Sequence, residues 1–94
     1  MAKTPRDEWL VTDGLRLHYR DRGGSGRPVV LLHGLASTCH IWDLVAPLLG
    51  DDFTVMALDQ RGHGDSDRPD RGYDFATVGN DLHGLIGALG LERP

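Results

Sequence analysis

The first patterned part of the chain alternates between apolar and polar residues. Residues 15–21 carry leucine, leucine and tyrosine at every second position, the period of a strand with one face turned to solvent. A similar short run spans residues 8–12, and Asp13-Gly14 between the two runs is a dipeptide typical of a tight hairpin turn. We predict an antiparallel hairpin of strands at 8–12 and 15–21, preceded by a disordered tail at residues 1–7.

Two later runs are apolar without alternation. The run at residues 28–32 ends abruptly at His33-Gly34, and the run at residues 53–58 ends at Asp59. Continuous aliphatic runs of this length are typical of strands covered on both faces, as in a parallel sheet between helix layers. Both runs are therefore predicted to be strands of a buried, parallel part of the sheet.

Two other segments space their apolar residues as amphipathic helices do. The first, residues 38–49, contains Pro47, which should kink or shorten its last turn. The second spans residues 74–89, with Asp74 in position to cap its start and Gly90 in position to end it. The order hairpin, strand, helix, strand, helix predicts an α/β fold in which crossover helices join parallel strands.

Composition and charge then exclude several classes of protein. The 94 residues carry a net charge of -4, which argues against a nucleic-acid backbone as the main partner. Apolar runs fall far short of the roughly 20 residues that span a bilayer, so we expect no membrane association. Cys39 is the only cysteine, which excludes an internal disulfide. These features favour a globular domain in the cytoplasm.

The first candidate site is His33-Gly34-Leu35, directly after a buried strand. Ligand clefts of open α/β sheets lie outside the carboxyl ends of the strands. Glycine at this point allows a sharp turn whose amides face the cleft, so the amide of Leu35 is a candidate donor to a developing oxyanion. An ordinary strand-to-helix turn with a packed histidine explains the same residues, and this motif alone leaves both interpretations open.

The second candidate is the octapeptide DQRGHGDS, which begins at Asp59 and follows the next buried strand. Gly62 and Gly64 suit a tight turn on either side of His63. The guanidinium of Arg61 can bind Asp59 or backbone carbonyls and so hold the loop. We interpret these residues as a structural, loop-organising motif.

Two other interpretations of this octapeptide fail on its residues. Residues 62–67 nearly match a dinucleotide-binding fingerprint, but Asp67 stands where glycine or alanine is needed for helix packing. His63, Asp65 and Asp67 carry metal-binding atoms, but no second cluster along the sequence completes a coordination shell. We therefore predict neither an organic cofactor nor a metal.

Taken in this order, the two motifs resemble the α/β-hydrolase superfamily, in particular its esterase, lipase and peroxidase-like branch. The resemblance runs from about Asp13 to Pro94 and includes Trp42, Tyr73 and the helix end at residues 88–90. It covers nearly the whole chain. The family's fold implies that this sequence forms the amino-terminal part of an α/β-hydrolase domain.

The resemblance also implies roles for individual residues. Leu35 would donate one backbone amide to the oxyanion hole, and His33 and Gly34 would form the substrate-binding oxyanion loop. The turn at residues 59–64 would border the pocket as a structural element.

The residues that would carry out the reaction are not recognisable in this sequence. The family's nucleophile sits in a Gly-x-Ser-x-Gly elbow, and none of Ser25, Ser37 and Ser66 has a glycine two positions away on both sides. Cys39 lacks such glycines too and is interpreted as an inert buried thiol. In the family's chain order the acid and the catalytic histidine follow the nucleophile, so the resemblance places them beyond Pro94.

We therefore expect residues 8–94 to be a partial domain from a serine carboxylic-ester hydrolase lineage, ending before the nucleophile strand and inactive alone. Ala36 argues against epoxide hydrolases and haloalkane dehalogenases, since those enzymes generally show proline there. The substrate of the intact protein would be a small ester-like molecule. The remaining histidines are interpreted as residues of polar faces: His18, His40 and His83.

A second hypothesis is a non-catalytic interaction module that keeps the strand–helix scaffold. Its apolar strand at 29–33 would lie at an open sheet edge, which is a template for pairing with another chain. The same edge predicts self-association of the isolated protein.

Overall fold

The computed structural model describes residues 5–94 and contains one mixed four-stranded sheet in the order β1-β2-β4-β3. The strands are β1 (Arg6–Thr12), β2 (Leu15–Asp21), β3 (Arg27–Leu32) and β4 (Phe53–Leu58), and the one α-helix in this range is α1 (Phe75–Leu89). Two short 3₁₀ helices, Cys39–Trp42 and Ala46–Asp52, connect β3 to β4. Within residues 5–94 no helix has the length and apolar composition needed to cross a membrane.

The predicted hairpin is present as β1 and β2, which pair antiparallel from Arg6↔Asp21 to Thr12↔Leu15. Its turn has positive φ at both central residues, 50° at Asp13 and 76° at Gly14, as in the type I′ turns that are common in two-residue hairpins.

The prediction of a tail at residues 1–7 is wrong at Arg6 and Asp7, which belong to β1. An ion pair between Arg6 and Asp21, at 3.2 Å, holds the start of this strand, and a carboxylate oxygen of Asp7 lies 3.0 Å from the ring of His18. Residues 1–4 lie outside the described residues.

The predicted parallel strands are β3 and β4, paired in register from Arg27↔Phe53 to Leu32↔Leu58. β4 lies between β2 and β3, whereas β3 is an edge strand of the sheet formed by residues 5–94. β3 ends at Leu32 rather than at residue 33, because the backbone carbonyl and the ring of His33 both bond to Gln60 instead of continuing the ladder.

The main core lies between the sheet and α1. Its buried members come from β2, β4 and α1: Leu15, Leu17, Tyr19, Met56, Leu58 and Leu85. The carboxylate of Asp74 accepts a hydrogen bond from the amide of Thr77, and Gly90 follows the helix with φ 64°. The start and end signals predicted for this helix are therefore both present.

The apolar stripe predicted for α1 is buried only in part. Leu85 is fully buried, but Phe75, the first residue of the helix, is 98% exposed. The close approach to the sheet occurs at Gly84, where a Cβ would collide with the side chain of Thr12. That contact explains why this helix position carries glycine.

The helix predicted for residues 38–49 is wrong. Two 3₁₀ helices occupy this region, and Pro47, which has no amide hydrogen, stands at the start of the second one. The side chain of Thr38 caps the first 3₁₀ helix alone. The apolar stripe expected to face the core is largely exposed, with Ile41 at 60% and Leu48 at 84%.

Candidate functional site

The loops that follow β3 and β4 meet at the carboxyl ends of these two parallel strands. The backbone amide of Gln60 donates to Nε2 of His33 at 3.0 Å, and the Gln60 side-chain amide donates to the carbonyl of His33 at 2.6 Å. His33 is buried, with only 5% of its surface exposed. The two motifs singled out in the sequence are therefore in direct contact.

The peptide between Gly34 and Leu35 is held by the ring of His33. Nε2 of His33 accepts from Gln60, so Nδ1 carries the hydrogen and donates to the carbonyl of Gly34 at 2.7 Å. This carbonyl also accepts from the amide of Ser37 at 3.3 Å. Because the peptide is trans, the amide hydrogen of Leu35 points away from the His33 ring.

Residues 34–37 form a β-turn whose third residue, Ala36, has φ 62°. A positive φ at this position is the hallmark of a type II turn, where glycine is the usual residue. Leu35 as a whole is 93% exposed. Within residues 5–94 no acceptor is bonded to the Leu35 amide, which leaves it available to a ligand.

The amide of Ala36, in contrast, has a protein partner. It donates to Nε2 of His63 at 3.1 Å, while Nδ1 of His63 lies 2.9 Å from the carbonyl of Arg61. A carbonyl can only accept, so Nδ1 carries the hydrogen and Nε2 is the acceptor. The rings of His33 and His63 lie 4.8 Å apart, tilted by 53°.

The turn that carries His63 is tied to α1. Both ends of the Arg61 guanidinium bond the carboxylate of Asp81, at 2.7 and 2.9 Å, and these bonds raise the pKa of Arg61. Arg68 donates to the carbonyls of Gly62 and Gly64, at 2.9 Å each. The side chain of Arg61 binds Asp81 rather than Asp59, which corrects one of the two alternatives drawn from the sequence.

Asp59 organises the buried side of the same turn. Its carboxylate accepts from the amides of Cys39 at 2.7 Å and Asp65 at 3.0 Å and contacts Nδ1 of His18 at 2.7 Å. Burial by itself raises the pKa of Asp59, but these hydrogen bonds outweigh it and leave the pKa below its ordinary value. Gly64 is required here because a Cβ would collide with the Asp59 carboxylate.

His18 was placed on a solvent face by the alternation of β2, and this prediction is wrong. The residue is fully buried, and its ring nitrogens lie 2.7 and 3.0 Å from the carboxylates of Asp59 and Asp7. Leu15, Leu17 and Tyr19 fill the opposite face of the strand as predicted, so β2 is covered on both sides at this point. A single histidine in an alternating run does not indicate that the strand is covered on both sides.

His18, Cys39 and Asp59 also form a group whose potential metal-binding atoms all lie within 4.8 Å of one another. The Asp59 oxygens already accept the hydrogen bonds described above, and both His18 nitrogens face carboxylates. Burial, helped by the nearby Asp59 carboxylate, raises the pKa of the Cys39 thiol to about 12. The thiol is therefore neutral at physiological pH, and the group acts as a hydrogen-bonded support for the turn.

Two clefts flank the His63 ring. One, of about 320 Å³, lies between the His33–Leu35 loop, Tyr73, Phe75 and Val78. The other, of about 440 Å³, lies between residues 35–38, residues 62–64 and Arg68. Leu35 lines both, so a molecule in either cleft would lie next to the exposed turn.

The sequence singled out the right loops and missed three residues that support them. Nothing in the sequence indicated that Gln60 and Ala36 support the loops, because they do so through their backbone amides and the side-chain amide of Gln60. Asp81 did carry one: it is an acidic residue between Val78 and Leu85, on the apolar side of a predicted helix. Its position predicts a buried cationic partner, which the structure shows to be Arg61.

Comparison with known proteins places this geometry in a family. Residues 27–94 match the family model described as the alpha/beta hydrolase fold. The chain is 43% identical over 83 residues to the soluble epoxide hydrolase of Corynebacterium sp. (strain C12), an alignment that covers 88% of this chain and 29% of that enzyme. It is 41% identical over 76 residues to a fluoroacetate dehalogenase of Burkholderia sp., covering 76% of this chain and 25% of that enzyme.

A solved structure agrees with these matches. Cfl2 from Burkholderia cenocepacia superposes with a TM-score of 0.85 at 38% identity, covering 95% of this chain and 32% of that one. The chain belongs to the α/β-hydrolase fold family, as its two motifs predicted. It spans less than a third of the length of these relatives.

Proposed function

We propose that this chain supplies the oxyanion-binding side of the active site of a hydrolase that acts on small organic molecules. The observation that carries the proposal is the Leu35 amide, which is unbonded within residues 5–94 and fixed in direction by the His33–Gly34 hydrogen bond, and which belongs to an exposed residue that lines two clefts. Such a donor lies at the carboxyl end of a parallel strand, where open α/β sheets bind their ligands.

The amide would act when a nucleophile adds to a substrate carbonyl. The carbonyl oxygen then takes up negative charge, and a backbone N–H fixed before the reaction stabilises that charge at little reorganisation cost. Loss of one such donor typically costs about 3–4 kcal/mol of barrier. The hydrogen bond from His33 to Gly34 polarises the same peptide and so strengthens its N–H as a donor.

We further propose that the nucleophile, the acid and the catalytic histidine belong to polypeptide beyond these 94 residues. Ser66 is buried, and its hydroxyl donates to the carbonyl of Asp59. The hydroxyl of Ser25 donates to the carbonyl of Asp51, and the Cys39 thiol is neutral and buried. The chain by itself is expected to be inactive, in the cytoplasm and without a cofactor.

The substrate class has two candidates. Carboxylic esters remain our first choice, since Ala36 stands where epoxide hydrolases and haloalkane dehalogenases generally show proline. Epoxides or halogenated acids are the second, favoured by the 43% and 41% identity to the Corynebacterium epoxide hydrolase and the Burkholderia fluoroacetate dehalogenase. An enzyme carboxylate that opens an epoxide or displaces the halide of a halogenated acid is left as an ester of the substrate. Water that attacks this ester places negative charge on its carbonyl oxygen, so the Leu35 amide serves either class.

The role of Leu35 can be tested in a chimera in which this chain replaces the matching stretch of the Corynebacterium epoxide hydrolase. Leu35→Pro removes the amide hydrogen, and proline suits the second position of a turn of this kind. Leu35→Ala keeps the amide and is the matched control. We expect Leu35→Pro to lower kcat about 100-fold or more and Leu35→Ala to leave it nearly unchanged. Equal kcat values for the two variants would refute the proposal.

The substrate class needs the protein encoded by the whole reading frame that contains this chain. That protein should be assayed side by side with an aryl acetate, a terminal epoxide and fluoroacetate. Turnover of the acetate alone supports an ester hydrolase, and turnover of the epoxide or fluoroacetate alone replaces it with the second candidate. The 94-residue chain should show no covalent labelling by a fluorophosphonate, and stoichiometric labelling would contradict the placement of the nucleophile.

A further inference from the structure

We propose that His63 is a positioning residue for the oxyanion donor: its Nε2 fixes the peptide between Leu35 and Ala36 and keeps the turn in its present form. The inference rests on the proposed function of the Leu35 amide and deepens it. The observation behind it is the 3.1 Å hydrogen bond from the Ala36 amide to Nε2 of His63, a residue 27 positions further along the chain.

The turn needs an external partner because its backbone is unfavourable for alanine. Ala36 has φ 62°, a left-handed backbone conformation in which the Cβ of a non-glycine residue lies too close to the following carbonyl oxygen. The alternative is a turn with negative φ at Ala36, which is reached by rotating the peptide between Leu35 and Ala36. That rotation would carry the Ala36 amide away from His63 and bring the Leu35 carbonyl toward it.

The ring of His63 opposes this rotation because its protonation pattern is fixed from the other side. Nδ1 donates to the carbonyl of Arg61 at 2.9 Å, which leaves only the lone pair of Nε2 to face the turn. A lone pair attracts the Ala36 amide and repels the Leu35 carbonyl that would replace it. The histidine therefore selects one of the two turn forms.

The support behind His63 makes this selection rigid. Arg61, whose carbonyl orients the ring, is held by the two bonds to Asp81 of α1. Arg68 bonds the carbonyls of the glycines on either side of His63. The position of the Leu35–Ala36 peptide is thus linked through one imidazole ring to the helix.

Together the two histidines hold the two peptides on either side of the Leu35 Cα. His33 holds the Gly34–Leu35 peptide through its carbonyl, and His63 holds the Leu35–Ala36 peptide through its amide. The bond to His63 also occupies the Ala36 amide, so the Leu35 amide is the donor that the turn offers to a ligand. If only one of the two peptides that flank the Leu35 Cα were held, the direction of the Leu35 N–H could vary. Misplacement of a catalytic group on the order of 1 Å can lower the rate about 100-fold.

Three substitutions test this role in the chimera described above. His63→Ala removes the acceptor, His63→Gln offers a side-chain oxygen in its place, and His83→Ala changes an exposed histidine of α1 as the matched control. We expect His63→Ala to lower kcat about tenfold with little change in KM, since the lost effect belongs to the transition state. His63→Gln should recover most of this loss, and His83→Ala should match the parent.

A further variant separates positioning from general stability. In the His63→Ala background, Ala36→Gly should restore part of kcat, because glycine adopts positive φ without strain. A merely structural role for His63 would instead lower the melting temperature and leave the kcat of the folded enzyme unchanged. That outcome, or no rescue by either His63→Gln or Ala36→Gly, would overturn the inference.

The hydrogen bond itself can be read in the 94-residue chain by NMR. A scalar coupling between the Ala36 amide nitrogen and Nε2 of His63 is expected in the parent and absent in His63→Ala, with faster exchange of the Ala36 amide. Absence of the coupling in a folded parent chain would overturn the inference.

The kinetic variants separate this inference from the proposed function. If Leu35→Pro leaves kcat unchanged, the oxyanion proposal fails. If Leu35→Pro abolishes activity while His63→Ala does not alter kcat, only the positioning role fails.

Discussion

β3 and β4 have similar aliphatic sequences and very different surroundings. From Val55 to Leu58, β4 is at most 4% exposed, with strands on both sides. In β3, Val29, Val30 and Leu31 are half-buried, and Leu32 is 37% exposed. An apolar run shows only that a strand is able to be buried on both faces. The elements that lie beside it in the structure determine how much of its surface is actually buried.

The loops attached to these strands repeat the contrast. After β4, the turn at residues 59–67 bonds its own carboxylate, guanidinium and backbone groups to β2, α1 and the Cys39 amide. After β3, the two 3₁₀ helices leave Leu44 and Leu48 more than 80% exposed. The polar groups of the β4 side are therefore hydrogen-bonded to other residues of this chain, whereas the β3 side carries apolar surface that residues 5–94 leave exposed.

The largest expected effect is on the β4 side, at Asp59. Asp59→Asn places an amide NH₂ against the donors of Cys39, Asp65 and His18, so at least one buried donor loses its acceptor. We expect a loss of about 3–5 kcal/mol in the free energy of unfolding, measured by urea denaturation or, if the variant is unfolded, by the loss of amide dispersion. Asp70→Asn, at an exposed aspartate, should change stability by less than about 0.5 kcal/mol.

A pair of leucines compares the two strands directly. Leu58→Ala in β4 removes a side chain that is 1% exposed, and Leu32→Ala removes its register partner in β3. We expect about 3 kcal/mol for Leu58→Ala, as for other fully buried leucines, and about 1 kcal/mol or less for Leu32→Ala. Equal losses in parallel denaturation curves would show that β3 is as well covered as β4.

Acid should weaken the β4 side first. The pKa of Asp59 is lowered in the folded protein, and the unfolded carboxyl titrates near about 3.9. The lowered pKa therefore adds stability that is complete above this pH and is lost as the pH falls through the folded pKa. We expect stability to drop as the pH falls below about 5, and to drop less in Asp59→Asn. Identical pH dependence in both proteins would assign the acid loss to other carboxyls.

The smallest changes in stability, with the clearest change in assembly, are expected on the β3 side. If the chain self-associates through the β3 edge, Leu32→Lys should shift it toward the monomer in size-exclusion chromatography, because edge lysines oppose strand pairing. Leu48→Lys places the same charge on the second 3₁₀ helix. Dissociation by Leu48→Lys alone would assign the contact to the 3₁₀ surface. A stable complex with an unrelated partner would instead favour the interaction-module hypothesis.

The sequence predicted the structure best where a short motif adopts one characteristic local conformation. Asp13-Gly14 identified the hairpin, and the ends of both aliphatic runs located the loops of the candidate site. The Asp74 cap and Gly90 gave the bounds of α1. These signals act within a few residues, so they do not depend on the rest of the fold.

Sequence reasoning failed where a residue's neighbour is distant along the chain. The pattern at residues 38–49 predicted one helix, but Pro47 divided it and its apolar side found little cover within residues 5–94. His18 looked like a surface residue because the acidic partner of its Nδ1, Asp59, is 41 positions away. The roles of His63 and Asp81 depended in the same way on contacts between separate loops and α1.

The amino-acid order alone determined the four strands, α1, the family and the two loops that meet at the ends of the parallel strands, because each follows from spacing and turn chemistry. Only the tertiary structure decided that the Leu35 amide is unbonded within residues 5–94 while the Ala36 amide is taken by His63. Amide directions depend on which side chains from other loops reach them. Which of the two amides is bonded therefore depends on tertiary packing, and the spacing of residues along the sequence does not reveal it.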